Sequence, residues 1–285
     1  MHKAKFPLNE VDRKSFLETG YLYVEQLYDL KDVAAVQKDV YRLIDLIVKT
    51  HEVPIERRSF PEAEFDTGLD ILCRDHRPLV GALYEAVKKL PSFVSLIMSS
   101  RNRQVSEWLL DSTFIGVANR GFGMRMDHPN EDTYLTQLHQ DYPSQLCSPA
   151  GLVFCSPLRD VRSDMGPVAV YEGSHKKGIL PVEVTSEGSY GLQMHEPTAA
   201  LEGYVIVCPE VMVGDVVILD MLNVHRSTPN RSDRTRWTMI SRYFDFTEAT
   251  GCSNGWKGGL QEGNSFATLH PDLTFSNEKK VRHDG

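Results

Sequence analysis

The run Leu138-His139-Gln140-Asp141 sets an imidazole and a carboxylate two positions apart near the middle of the chain. Side chains two apart on a strand share a face. A strand over "YLTQLHQD" therefore predicts Gln137, His139 and Asp141 pointing the same way. A histidine and an aspartate make two-thirds of the 2-His-1-carboxylate set, which grips non-haem Fe(II) on one side and leaves the other open. Such pairs also occur as plain hydrogen-bonded surface residues, so the metal reading requires a second histidine from elsewhere.

Of the ten histidines, His225 is the best placed. It ends the strand-like run "GDVVILDMLNVH", and the "STPNRSD" that follows is rich in turn formers. This pattern predicts a hairpin centred between Asn230 and Arg231, which sets His225 opposite Arg236. A buried guanidinium there can clamp a carboxylate through two parallel N–H bonds. Arg231 and Arg234 read as exposed turn residues. HxD, a distant strand-end histidine and an arginine eleven residues later form a set that chance rarely assembles.

The elements that must position these groups change along the chain. In "LKDVAAVQKDVYRLIDLIVKT", Val33, Val36, Val40, Leu43, Ile44 and Ile47 follow the spacing of one helical face. "RPLVGALYEAVKKL" repeats it with Leu79, Val80, Leu83 and Val87, and "RNRQVSEWLL" predicts a further helix. Residues 1–110 are thus expected to be mostly helical, with a short strand at "YLYVE". Between residues 111 and 247 the texture is one of short strands broken by turn residues. Eight such runs without long helices between them predict a jelly-roll or antiparallel barrel core packed on one side by the helices. The Gly-rich segment 248–285 reads as a loop or lid. With no repeat and no clear linker, residues 1–285 are expected to form a single domain.

Bulk composition bounds the partners. The formal net charge of -8 argues against nucleic acid and anionic membrane, which call for a basic face. No apolar run approaches membrane-spanning length, and the first residues carry no signal-peptide core. Five scattered cysteines without a CxxC pair fit reduced thiols in a cytoplasm. A small-molecule substrate is the expected partner, and the sequence sets no oligomeric state.

On "HQD" (139–141), His225 and Arg236, the chain resembles the phytanoyl-CoA dioxygenase family of Fe(II)/2-oxoglutarate-dependent oxygenases. Two further stretches carry the resemblance: "PLRDVRSDMGPVAVYEGSHKKG", with its GSH turn, and the opening "EVDRKSFLETGYLYVEQL". It runs from about residue 10 to 247 and implies a double-stranded β-helix, or jelly-roll, core with helical support. It also implies Fe(II) held by His139, Asp141 and His225, with 2-oxoglutarate and dioxygen as co-substrates. Arg236 would hold the far carboxylate of 2-oxoglutarate, assisted by Ser227, and Gln137 would contact the co-substrate. His175 is expected to be structural; Asp220 and Asn223 either orient ligands or cap a turn. Related halogenases replace the carboxylate ligand by a small residue, so Asp141 favours hydroxylation. Desaturation, ring formation and epimerisation need the same ligands and stay open.

The resemblance leaves the substrate to the loops. The pocket mouth is expected from "GFGMRMDHPNEDTY", the residues after Asp141 and the Gly-rich C-terminal segment, with Arg125, Asp127, Tyr142 and Trp256 as contacts. Their polarity favours a small polar metabolite over a fatty acyl-CoA. Two other classes compete. A Zn(II) hydrolase with the same ligands leaves Arg236 and Ser227 without a task, and a non-catalytic jelly-roll binding protein would keep the metal as scaffold.

Overall fold

The helical face of residues 30–50 and the alternating strands beyond residue 112 meet across one sheet. The computed structural model describes residues 1–57, 59–60, 64–118, 121–184, 192–195, 201–259 and 265–276. The strands are β1 (Lys3–Lys5), β2 (Tyr21–Glu25), β3 (Ile115–Val117), β4 (Gly123–Asp127), β5 (Gly151–Pro157), β6 (Ala169–Tyr171) and β7 (Val182–Val184). They continue as β8 (Leu192–Met194), β9 (Ile206–Val207), β10 (Val216–Asp220), β11 (His225–Arg226), β12 (Arg236–Asp245) and β13 (Thr274–Ser276). A seven-stranded sheet runs β1-β2-β10-β5-β12-β3, with β4 also paired to β12. Two three-stranded sheets, β11-β6-β9 and β13-β7-β8, complete the jelly-roll core.

Each face of the large sheet has its own partner. Leu22, Val24, Leu152, Phe154, Val216, Ile218, Trp237 and Met239 point to the helices. These are α1 (Glu10–Thr19), α2 (Leu30–Thr50), α3 (Leu69–Asp75), α4 (Arg77–Val87), α5 (Pro91–Ile97) and α6 (Ser100–Leu110). Of the stripe on α2, Val33, Val36, Val40 and Ile44 are fully buried. The alternate positions Tyr21, Tyr23, Val153, Val217 and Leu219 pack with Val170 of the small sheet. Burial on both faces explains why these strands read as near-continuous apolar runs.

Three expectations need correction. "YLTQLHQD" is not a strand: Asp132–Tyr134 is a 3-10 turn, and only His139 forms an isolated bridge, to His225. His225 and Arg236 do not form a hairpin pair either. β11 pairs with β6 of the small sheet, whereas β12 pairs with β3, β4 and β5 of the large one. The turn signal is real, but the chain crosses between sheets there rather than doubling back within one. Finally, the C-terminal segment is more than loop among its described residues. It holds helices Ala249–Asn254 and Phe266–Leu269, buries Phe266, and pairs β13 with β7. Among the described residues no helix is long and apolar enough to cross a membrane.

Candidate metal centre

His139 and His225 meet through their backbones before their side chains. Each amide N–H donates to the other's carbonyl at 3.1 Å, and the imidazole centroids lie 4.2 Å apart. The ring orientation is fixed by a second hydrogen bond on each. Nδ1 of His139 lies 2.8 Å from the carbonyl of Gln137, and Nδ1 of His225 lies 3.0 Å from that of Asn223. A carbonyl only accepts, so each Nδ1 carries a proton, the tautomer that turns Nε2 toward a metal. Burial, reinforced by the neighbouring His225, pushes the pKa of His139 down to about 3. The ring is therefore neutral and able to ligate at physiological pH.

Asp141 reaches the same point by a turn, not by strand alternation. Its backbone is helical (φ -75°, ψ -32°), and it opens the short helix α7 (Tyr142–Gln145). Gln140, between the two ligands, anchors this turn. Its Nε2 donates to the carbonyls of Gly178 and Leu222, and its Oε1 accepts the amide of Leu180 at 2.9 Å. Asp141 Oδ2 faces His225 Nε2 at 3.4 Å. Donor atoms of all three residues lie within 4.8 Å of one another.

Oδ1 of Asp141 accepts from Nη2 and Nε of Arg242, at 2.8 and 3.0 Å. Burial alone would raise this carboxyl's pKa. Arg242, His225 and His139 outweigh it and hold the pKa at about 2, so the group is ionised. Its other oxygen, Oδ2, is buried and has no hydrogen-bond partner. A buried ionised oxygen without a hydrogen bond is costly. The imidazoles of His139 and His225 beside it complete a donor set that fits a divalent metal such as Fe(II).

Two cavities meet at this cluster. The smaller, of about 90 Å³, is bordered by His139, Asp141, His225, Ser227 and Arg236. The larger, of about 200 Å³, is bordered by His139, Gln140 and Asp141 and opens toward α4 and β7–β8. Arg125, Ile240 and Arg242 border both. Arg236 is buried and sits opposite Asp127 in the β4–β12 register. Its Nη2 and Nε donate to Asp127 Oδ2 at 2.8 and 3.2 Å, and its Nη1 donates to the carbonyl of Gly166. One N–H on each terminal nitrogen is left over from these bonds, a fork matched to a carboxylate. Asp127 also accepts from Arg125 Nε at 2.7 Å. Burial would raise the pKa of Asp127, but Arg236 and Arg125 hold it below the usual carboxylate range. This buried group of two cations and one anion carries a net positive charge beside the smaller cavity.

The structure thus brings His139, Asp141, His225, Ser227, Arg236 and Arg125 to one place, and leaves other expected residues outside it. The side chain of Gln137 is exposed and borders neither cavity; with no strand beneath it, the alternation that aimed it at the metal is absent. Tyr142 is buried against Phe266, its hydroxyl 2.9 Å from His270 Nε2. Trp256 packs on Phe246 and donates to its carbonyl. Asp127 serves the two arginines and does not border either cavity. His175 holds the carbonyl of Leu17, Asp220 caps the turn at Leu222, and Asn223 accepts from His225 through its backbone. Arg242 and Gln140 escaped the sequence reading. Arg242 carried a usable signal, since it lies six residues after Arg236 on the same face of one strand.

A model of the phytanoyl-CoA dioxygenase (PhyH) family matches residues 16–238. The chain belongs to this family. PhyH members are Fe(II)- and 2-oxoglutarate-dependent oxygenases, in keeping with the donor set and the carboxylate-sized fork. No curated protein matches the chain. Among solved structures, it is similar to the epimerase SnoN from nogalamycin biosynthesis, solved with Fe3+, alpha ketoglutarate and nogalamycin RO. That match has 17% identity and a TM-score of 0.57 over 86% of this chain and 88% of SnoN. The carbocyclase SnoK of the same biosynthesis matches at 17% identity and TM-score 0.57, over 84% and 85%. EctD from S. alaskensis, solved with 2-oxoglutarate and 5-hydroxyectoine, matches at 16% and 0.55, over 85% and 78%. At these identities the solved structures speak for the shared PhyH fold.

Proposed function

We propose that this PhyH protein hydroxylates a small polar metabolite at a metal held by His139, Asp141 and His225, releasing succinate and carbon dioxide. The observation that carries the reading is the buried Oδ2 of Asp141, which has no hydrogen-bond partner and faces two imidazoles whose Nδ1 atoms are tied to carbonyls. Bound iron and 2-oxoglutarate together supply the oxidising power, drawn from dioxygen and the decarboxylation of 2-oxoglutarate.

The chain's own groups position and exclude. Arg242 occupies Oδ1 of Asp141, so this carboxylate offers a metal Oδ2 alone and leaves room for other ligands. The two Nδ1 hydrogen bonds keep both imidazoles in the ligating tautomer. The free fork of Arg236, with the hydroxyl of Ser227, takes the far carboxylate of 2-oxoglutarate. Asp127 holds that fork side-on and keeps it aimed into the cavity. Val153, Cys155, Val168 and Val217 make the surrounding wall largely apolar, which keeps water away and strengthens the charge-assisted bonds. The substrate lies in the larger cavity, on the other side of Asp141 and Arg242. Epimerisation and ring closure, the reactions named for SnoN and SnoK, would use the same ligands with a different substrate pose.

Anaerobic titration with Fe(II) and 2-oxoglutarate tests the site. A visible metal-to-ligand band that requires both is expected, and folded protein without that band would refute the proposal. A metabolite screen for substrate-stimulated succinate release then tests the outcome. Hydroxylation adds one oxygen atom to the product; desaturation or ring closure removes two hydrogens, and epimerisation leaves the mass unchanged.

A further inference from the structure

The larger cavity carries charge mostly of one sign. Among the described residues that border it, the cations are Lys88, Arg125 and Arg242, and the one carboxylate is the ligand Asp141. This contrasts with a chain whose formal net charge is -8. Low-dielectric walls focus such a field and favour an anion inside.

The three cations are not equivalent. Arg242 commits Nε and Nη2 to Asp141, and Arg125 commits its Nε to Asp127 and its Nη2 to the carbonyl of Tyr134. These two contribute mainly field. Lys88 follows the last residue of α4, and its stem passes over Gly123, where an added Cβ would lie 3.7 Å from the lysine Cδ. Its Nζ meets Glu85 at 2.7 Å, but the side chain of Glu85 is 64% exposed, against 27% for Lys88. An ion pair with so hydrated a partner is weak, and an ammonium has three hydrogens to give. Lys88 is therefore the cation of this cavity best able to exchange its partner for a ligand. Elsewhere the border is mixed: Leu180, Val182 and Met194 give it apolar surface, and Ser144, Gln145 and Gln193 give it polar groups.

We propose that the substrate is a small polar molecule with a terminal oxyanion, a carboxylate or a phosphate, which Lys88 binds. Its body lies between Leu180, Val182 and Met194 and the polar Ser144, Gln145 and Gln193, with its far end at the metal centre. This rests on the oxygenase reading above and adds the substrate class to it.

The test uses the anaerobic Fe(II)–2-oxoglutarate complex of the full chain, titrated with hexanoate, hexyl phosphate, hexanamide and hexylamine. Binding next to the metal is read as a shift of the visible band at saturating 2-oxoglutarate. At least one of the two anions is expected to bind about tenfold more tightly than hexanamide or hexylamine. The better anion identifies the headgroup. Lys88→Met should abolish that preference and Lys88→Arg keep it, with 2-oxoglutarate affinity, read from the same band, unchanged in both. The proposal falls if neither anion outbinds the amide, if the anions act by displacing 2-oxoglutarate and bleaching the band, or if Lys88→Met keeps the preference. Failure of the oxygenase reading is distinct, since the band would then not form before any probe was added.

Discussion

Among the described residues two clusters have donor atoms within 4.8 Å of one another: His139, Asp141 and His225, and Cys73, His128 and Glu131. By residue type the second is as plausible a metal site as the first. Most of its polar atoms already have partners. Both oxygens of Glu131 are taken by Arg77, at 2.8 and 2.7 Å, and Nδ1 of His128 lies 3.0 Å from Thr235 Oγ1. Burial, with Glu131 close by, pushes the Cys73 thiol up to about 11, so it stays protonated and ligates poorly. At the first cluster the hydrogen bonds fall on the far side of each ligand: Nδ1 of both histidines and Oδ1 of Asp141. A histidine and a carboxylate are common to both clusters. What differs is which atom the surroundings leave open.

This contrast can be broken from either end. The largest effect is expected for His139→Ala or Asp141→Ala, which should abolish Fe(II)-dependent succinate formation. Full activity in either variant would remove the metal centre from its assigned place. Arg236→Ala should raise the dissociation constant for 2-oxoglutarate about 100-fold, roughly 2.7 kcal/mol, with Fe(II) binding little changed. It also leaves the buried Asp127 with Arg125 as its one remaining arginine partner, so a stability loss of about 2 kcal/mol is expected in a denaturant melt. An unaltered co-substrate affinity would show that the fork holds something else.

Arg242→Ala should weaken Fe(II) binding by roughly 10- to 100-fold, the usual effect of losing a group that orients a metal ligand. Isothermal titration under nitrogen measures it, and Arg242→Lys should recover part of the loss. An unchanged affinity would mean that Asp141 needs no partner on Oδ1. Cys73→Ser is expected to leave metal stoichiometry at one per chain, and a drop in bound iron would make the second cluster a true site. Its visible effect is on stability. The folded state keeps the Cys73 proton above the ordinary thiol pKa, so it binds more protons than the unfolded chain between about pH 9 and pH 11. Stability therefore falls as pH rises through that window, and Cys73→Ser should flatten this part of the curve.

The candidate metal ligands stood out in the sequence because their chemistry is rare, although the geometry that joins them differs from the expected one. HxD looked like an alternating strand, yet the chain turns into helix α7 directly at Asp141, where Pro143 fits the first turn. The turn-rich run after His225 looked like a hairpin, but it carries the chain from the small sheet to the large one. Both errors came from applying local signals at a place where tertiary pairing decides. The helices of residues 30–110 were readable because amphipathic stripes report burial directly. Strands β7 and β8, which border the larger cavity, are three residues each, too short for a periodic signal. Arg242 belongs to no motif, and its even spacing from Arg236 is the signal that places it on the same face of the strand.

That spacing has a consequence for how the chain can vary. Along β12, Arg236, Thr238, Ile240 and Arg242 border the smaller cavity, while Trp237, Met239 and Tyr243 enter the core with the helices. One residue gained or lost between 236 and 242 would turn Arg242 into the helical layer and a core side chain toward the ligands. Descendants of this sequence are also held at the turn before β12, where the buried Asn230 donates to the carbonyls of Asp127 and Arg234. Between the two arginines they can exchange residues but not add or remove one. The strand is inherited as a fixed length before it is inherited as a set of side chains.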